Sequence, residues 1–142
     1  MKAFMYEEYG PSQNLHVAEV EKPEPGDNEV LVKVAAVSIN DWDWGLLTGT
    51  PFANRAINGL LNPRRKIVGS DIAGRVEAVG RKITRLKIGD EVYGDLSNRW
   101  GGCAEYVVAP EEMLGLKPPS MTFAEAAAIP QAGGSAHLRY RS

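Results

Sequence analysis

The stretch that decides the fold runs from Lys66 to Gly94: Lys66-Ile-Val-Gly-Ser-Asp-Ile-Ala-Gly-Arg-Val-Glu-Ala-Val-Gly80, a charged crossing, then Ile88-Gly-Asp-Glu-Val-Tyr-Gly94. From Asp71 to Val79, apolar and small residues interleave with Arg75 and Glu77, the pattern of a half-buried strand hinged by glycine at both ends. Glu91 to Gly94 repeats that pattern after the turn pair Gly89-Asp90. Two strands therefore bracket the polar segment Arg81 to Lys87, and for folding alone the glycines mark bends of a curled sheet.

Working outward, Lys2–Tyr6 and Leu15–Val20 read as an antiparallel hairpin around Gly10-Pro11, and Lys22-Pro-Glu-Pro-Gly-Asp-Asn28 is a surface turn. Val30 to Ile39 is a longer strand, with Val30, Val32, Val34 and Ala36 on one face and Lys33 interrupting the other. Asn40-Asp-Trp-Asp-Trp44 opens a short helix that Gly49-Thr-Pro51 closes. Phe52 to Pro63 is a loop or short helix placed to cover a cleft. Trp100 to Pro110 is a glycine-led strand. Pro118-Pro-Ser-Met-Thr122 stops the β section, and Thr122 with Glu125 forms a capping box for a helix over Phe123–Ile129, which Pro130 breaks.

The totals bound the function. A chain of 142 residues fits one domain with a proper core. Its 15 glycines and 9 prolines exceed the usual share of about 12% and favour turn-rich β structure over a helical bundle. A net charge of −2 recommends neither nucleic acid nor an anionic membrane as partner. The single Cys103 excludes an internal disulfide and a cysteine cluster for structural zinc. With no signal-like or membrane-length apolar run, the expected setting is reducing and cytoplasmic.

The order Gly69, Asp71, Gly74, Val76, Gly80, then Gly89, Asp90 and Val92 resembles the catalytic domain of the medium-chain dehydrogenase/reductase superfamily. Further marks are Gly102-x-Ala104-Glu105-Tyr106, Ala126-Ala-Ala-Ile-Pro130 and Ala132-Gly-Gly-Ser-Ala136, where similar proteins usually carry Thr at the place of Ser135. The resemblance implies a mainly β fold: the GroES-like, twisted and partly open β-barrel with short flanking helices. It implies a GroES-like catalytic domain over residues 1–128, and over 129–142 the start of a linker helix toward a nucleotide-binding Rossmann domain. No Gly-x-Gly-x-x-Gly occurs here. Gly69 to Gly74 has phosphate-loop spacing, but Arg75-Val76 stand where Lys and Ser/Thr are required. The chain is thus expected to be one domain of a two-domain enzyme, without turnover by itself.

Zinc-dependent relatives place a Cys after the long strand and Gly-His-Glu in the central stretch. Here those places read Ser38-Ile-Asn40-Asp41 and Gly69-Ser70-Asp71, a donor set unfit for catalytic zinc. His16 and His137 read as surface or interface residues. No zinc is expected, which favours reduction of an activated C=C over oxidation of a simple alcohol. The Asn40-x-x-Asp43-Trp44 stretch resembles the zinc-free quinone-oxidoreductase-like branch, although Asp41 stands where relatives often carry Pro. The resemblance implies NAD(P)H as cofactor of the intact enzyme, a small enone or quinone as substrate, Asn40 beside both, Trp44 against the substrate, and Ser135 against the cofactor. Asn40 is equally readable as a helix cap alone. Trp42 and Trp44 are more often core residues than stacking platforms, Asp43 reads as a local hydrogen-bond acceptor, and Ser70, Asp71, Gly133 and Gly134 as structural. A homodimer or self-association through uncovered apolar surface is expected. Two alternatives remain: a stand-alone co-chaperonin-like assembly module, which would form a ring, and a zinc-type alcohol dehydrogenase.

Overall fold

The structure is a computed structural model and describes residues 1–97 and 99–130. Ser135, His137, Gly133 and Gly134, with most of the expected linker segment 129–142, lie outside the described residues.

The hairpin forms as expected. β1 (Lys2–Met5) pairs antiparallel with β2 (His16–Glu19), in the register Lys2 to Glu19 and Met5 to His16. The other strands are β3 (Glu29–Ser38), β4 (Asp71–Val79), β5 (Glu91–Asp95), β6 (Tyr106–Pro110) and β7 (Leu114–Leu116). They make a five-stranded antiparallel sheet in the order β6-β3-β4-β5-β7. Single bridges, Ala3 to Ala104 and Met5 to Ile67, tie the hairpin to the segments that lead into β6 and β4, and the two sheets do not close into a barrel. Three short helices flank the five-stranded sheet: α1 (Asp41–Thr48), α2 (Ala53–Asn58) and α3 (Phe123–Ala127). Among the described residues no helix is long and apolar enough to cross a membrane, and no parallel, helix-covered nucleotide-binding sheet is present.

The central pair β3 and β4 carries the core. Val30, Val32, Ile72, Val76 and Val92 pack together with at most 1% of their surface exposed. At about 1.5–3 kcal/mol per fully buried aliphatic side chain, such a cluster dominates the favourable side of folding. β4 is less simple than a half-buried strand: its first four residues, Asp71 to Gly74, are all buried, and alternation begins only at Arg75. The expected single face on β3 also breaks. Val34 pairs with Gly74 and Ala36 with Ala73, leaving Ala35 as a bulge residue that reverses the pleat. Val37, not Ala36, therefore joins Val34 against the main core, while Ala36 packs on the opposite side with Ala73 and Ala126.

Other boundaries shift. The strand expected over Trp100–Pro110 begins only at Tyr106, because Trp100 and Gly101 adopt φ of 54° and 100° and turn the chain. β7 follows as a short edge strand outside the sequence reading. α3 ends at Ala127 rather than Ile129. Its cap is as expected in the forward direction, Glu125 N–H donating to Thr122 Oγ1 at 3.1 Å. The return bond runs from the Thr122 hydroxyl to Glu125 Oε1.

Gly74 is needed for close approach rather than for a bend. A Cβ there would stand 2.2 Å from the Lys33 carbonyl oxygen and 2.8 Å from Val32 Cγ1. Gly115 in β7 meets nothing nearer than Tyr93 Cε1 at 3.4 Å. In urea denaturation, Gly74→Ala is expected to cost about 1–3 kcal/mol by overpacking, and Gly115→Ala less than about 0.5 kcal/mol. Equal effects at the two sites would contradict this packing.

Candidate functional site

α1 begins where β3 ends, and its start is fixed by one side chain. Asp43, at the third helical position, accepts from the Asn40 backbone N–H with Oδ2 at 2.9 Å and from the Gly69 N–H with Oδ1 at 2.8 Å. The Ser70 hydroxyl approaches Oδ2 at 3.5 Å. The carboxylate is 1% exposed and so ties the helix to the segment entering β4, 26 residues away in sequence. It is a hydrogen-bond acceptor as expected, but its second partner is not local.

Burial raises the Asp43 pKa, with the nearby Asp95 charge acting in the same direction; the donors from Asn40, Gly69 and Ser70 pull the other way without cancelling it. Gly69 has φ of 100°, and a Cβ on it would stand 2.7 Å from Cys103 N and 2.9 Å from Cys103 Sγ. Glycine is thus required here both by the left-handed backbone and by the chain at Cys103.

A cleft of about 780 Å³ opens beside this junction. Its walls come from Phe4 and Val17 of the hairpin, Val34 and Val37 of β3, and Ile39 and Trp44 at the start of α1. Asp43 and Cys103 also reach it, and the lining is otherwise mainly apolar. The volume lies in the range of small-molecule sites. The Cys103 thiol is pushed up to about 11, by burial first and the Asp43 charge second. It stays protonated near neutral pH and serves as wall rather than nucleophile.

Of the sequence candidates, Trp44 lines the cleft at 54% exposure, and Trp42 is 57% exposed, so neither is a core residue. The helical turn carries both indoles outward, and the core of α1 is made by Leu46 and Leu47 instead. Asn40 is half-buried and does not line the cleft, although its neighbours in sequence Ile39, Asp43 and Trp44 do, and its Nδ2 is buried with no hydrogen-bond partner. Ser70 and Asp71 are buried in the sheet, and Ser38 faces Asp71 across the β3–β4 register. His16 is exposed on β2. Among the described residues no three His, Cys, Asp or Glu side chains gather as a metal site.

Sequence reasoning missed the Asp43–Gly69 bond. An Asp three residues after a capping Asn was the available signal for the helix end, but nothing in the spacing announces Gly69. It also missed Tyr6, a fully buried phenol raised to about 12 chiefly by burial. Tyr6 donates to the Leu46 carbonyl at 3.3 Å and accepts from Asn58 Nδ2 at 3.0 Å, holding α1 and α2 over the hairpin.

A model of the alcohol dehydrogenase GroES-like domain matches residues 26–119. The chain belongs to that family. This GroES-like domain is 37% identical over 142 residues to the chloroplastic quinone-oxidoreductase QR1 of Triphysaria versicolor, an alignment covering 97% of this chain and 41% of that protein. It is 35% identical over 140 residues to the chloroplastic NADPH-dependent alkenal/one oxidoreductase of Arabidopsis thaliana, covering 93% and 35%. The quinone oxidoreductase of Coxiella burnetii superposes with a TM-score of 0.86 at 31% identity, over 97% of this chain and 43% of that one. The GroES-like domain is therefore quinone-oxidoreductase-like within the medium-chain dehydrogenase/reductase superfamily, and the chain spans well under half the length of these relatives.

Because the Asp43 pKa is raised on folding above its ordinary 3.8, its contribution to stability is whole below that value and is lost as pH rises through the folded value. The stability of the natural chain relative to Asp43→Asn should therefore fall as the pH is raised above about 4. A difference that grows with pH would mean that the amide donors outweigh burial.

Proposed function

We propose that this domain supplies the substrate cleft of an NAD(P)H-dependent oxidoreductase that reduces activated C=C bonds of enones or quinones. The carrying observation is an apolar cleft beside a helix start whose capping residue, Asn40, holds a buried Nδ2 donor without a partner. Supporting it are the relatives named for quinone and alkenal/one reduction. In the intact enzyme a reduced nicotinamide would supply hydride to the β-carbon of the acceptor. The chain's own part is to bind and polarise. Trp44 and the apolar walls take up the acceptor's carbon skeleton and exclude water. Asn40 would donate to the acceptor's carbonyl oxygen, where a fixed donor stabilises the negative charge that develops during reduction, or would orient the nicotinamide through its amide oxygen. The Ser38, Ser70 and Asp71 donors do not suit a catalytic zinc.

Ser135 is proposed as a cofactor contact on the resemblance alone. The domain is proposed to occupy residues 1–128, with 129–142 leading toward a nucleotide-binding domain. The described residues offer no glycine cradle for a pyrophosphate at a helix N-terminus, so tight dinucleotide binding is assigned to sequence beyond these residues.

Calorimetric titration of the chain with a substituted quinone should show binding, weakened about fivefold to tenfold by Trp44→Ala and by Asn40→Ala. The same chain should give no steady NADPH oxidation with an alkenal and no NADPH affinity in the micromolar range. Turnover by the chain alone, or quinone affinity indifferent to both substitutions, would overturn the reading.

A further inference from the structure

β7 passes into α3 through a strap over residues 117–122, in which Pro118 and Pro119 have no N–H to give to the sheet. Among the described residues the strap's later bonds stay local: the Met121 N–H donates to the Pro118 carbonyl at 3.1 Å, and Thr122 bonds with Glu125 and Ala126 of α3. One cation sits inside it. The Lys117 side chain is 5% exposed. Its ammonium reaches Glu91 Oε2 at 3.0 Å and donates to the Met121 and Pro118 carbonyls at 2.6 and 3.2 Å, so each of its three N–H groups has an acceptor. The centre of the Phe123 ring stands 5.3 Å away. Glu91 is fixed from the sheet side: Oε1 accepts from Arg75 Nη2 at 2.9 Å, and its backbone carbonyl accepts from the Lys117 N–H at 2.8 Å.

α3, five residues long, is too short to be stable alone. Its buried side chains are small: Ala126 and Ala127, at most 1% exposed, pack with Ala73, and Ala36, Tyr93 and Phe123 lie against them. Ala36 also lines the cleft, next to the bulge at Ala35. We propose that Lys117 is a conformational latch: its ammonium fastens the strap to Glu91, holds α3 on Ala36 and Ala73, and thereby positions the cleft wall. Contacts between alanines bury little apolar area. Loss of the ammonium leaves the Pro118 and Met121 carbonyls without their donor and Glu91 without one of its two cations. α3 then opens locally, while the sheet keeps its separate core. The latch stands whether or not the cleft takes an enone or quinone.

Amide exchange and methyl resonances of the chain test it. In the natural chain the Lys117 ammonium protons should persist at neutral pH, where those of the exposed Lys82 are lost to exchange. In Lys117→Met the amides of Ala126 and Ala127 should exchange at least about tenfold faster and the Ala36 methyl resonance should shift, with the amides of Val32 and Ile72 changed by less than about twofold. Glu91→Gln, which keeps an oxygen acceptor without its charge, should release α3 by about twofold to fivefold, and it decides alone if Lys117→Met does not fold. A Lys117 ammonium that exchanges like that of Lys82, or α3 protection unchanged in Glu91→Gln, overturns the proposal. So does an Ala36 methyl indifferent to the opening of α3, or a Glu91→Gln chain in which Val32 and Ile72 are released together with α3.

Discussion

One buried carboxylate holds the candidate site together. Asp43 receives the Asn40 and Gly69 amides at 2.9 and 2.8 Å, and through them a helix that follows β3 is locked to the segment that feeds β4. Charge-assisted bonds of this kind contribute about 1.5–3 kcal/mol each, and they work against the cost of taking a carboxylate out of water, which its raised pKa records. Without that acceptor the Gly69 N–H would be buried beside Cys103 with no partner. The position of Asn40 at the start of α1 depends on the same carboxylate.

The constraint spreads outward through glycines and aromatic hydroxyls. Gly69 allows the chain at Cys103 to lie against it, and Gly102 donates its N–H to the Gly69 carbonyl at 2.9 Å. Tyr6 and Tyr9 then carry α1, α2 and the loop after α2 on the hairpin. The start of α1 and the loop after α2 are therefore both fastened to the hairpin side of the fold, the first through Asp43 and Tyr6, the second through Tyr9 and Asn58.

Much of this was legible in the sequence, for stated reasons. Glycine hinges and alternation located β4 to the residue, and Gly49 closed α1 in the left-handed conformation at φ of 67°. The hairpin followed from alternation about a Gly-Pro turn. What escaped was non-local. The Ala35 bulge reverses a face without leaving any mark in composition, since Ala35 and Ala36 differ only in position. Gly74 answers to the Lys33 carbonyl, which sequence places 41 residues away. The tryptophans read as core by residue type, yet helical phase turns them outward. Asp43 was recognised as an acceptor, but its long-range donor could be named only once β4 was docked.

The central claim is that Asp43 fastens Gly69. Amide hydrogen exchange followed residue by residue tests it most directly. The account predicts that the Gly69 N–H exchanges as slowly as core amides of β4 and is released selectively in Asp43→Ala while the β3–β4 ladder stays protected. Rapid exchange of Gly69 in the natural chain, or unchanged protection in the variant, would contradict it.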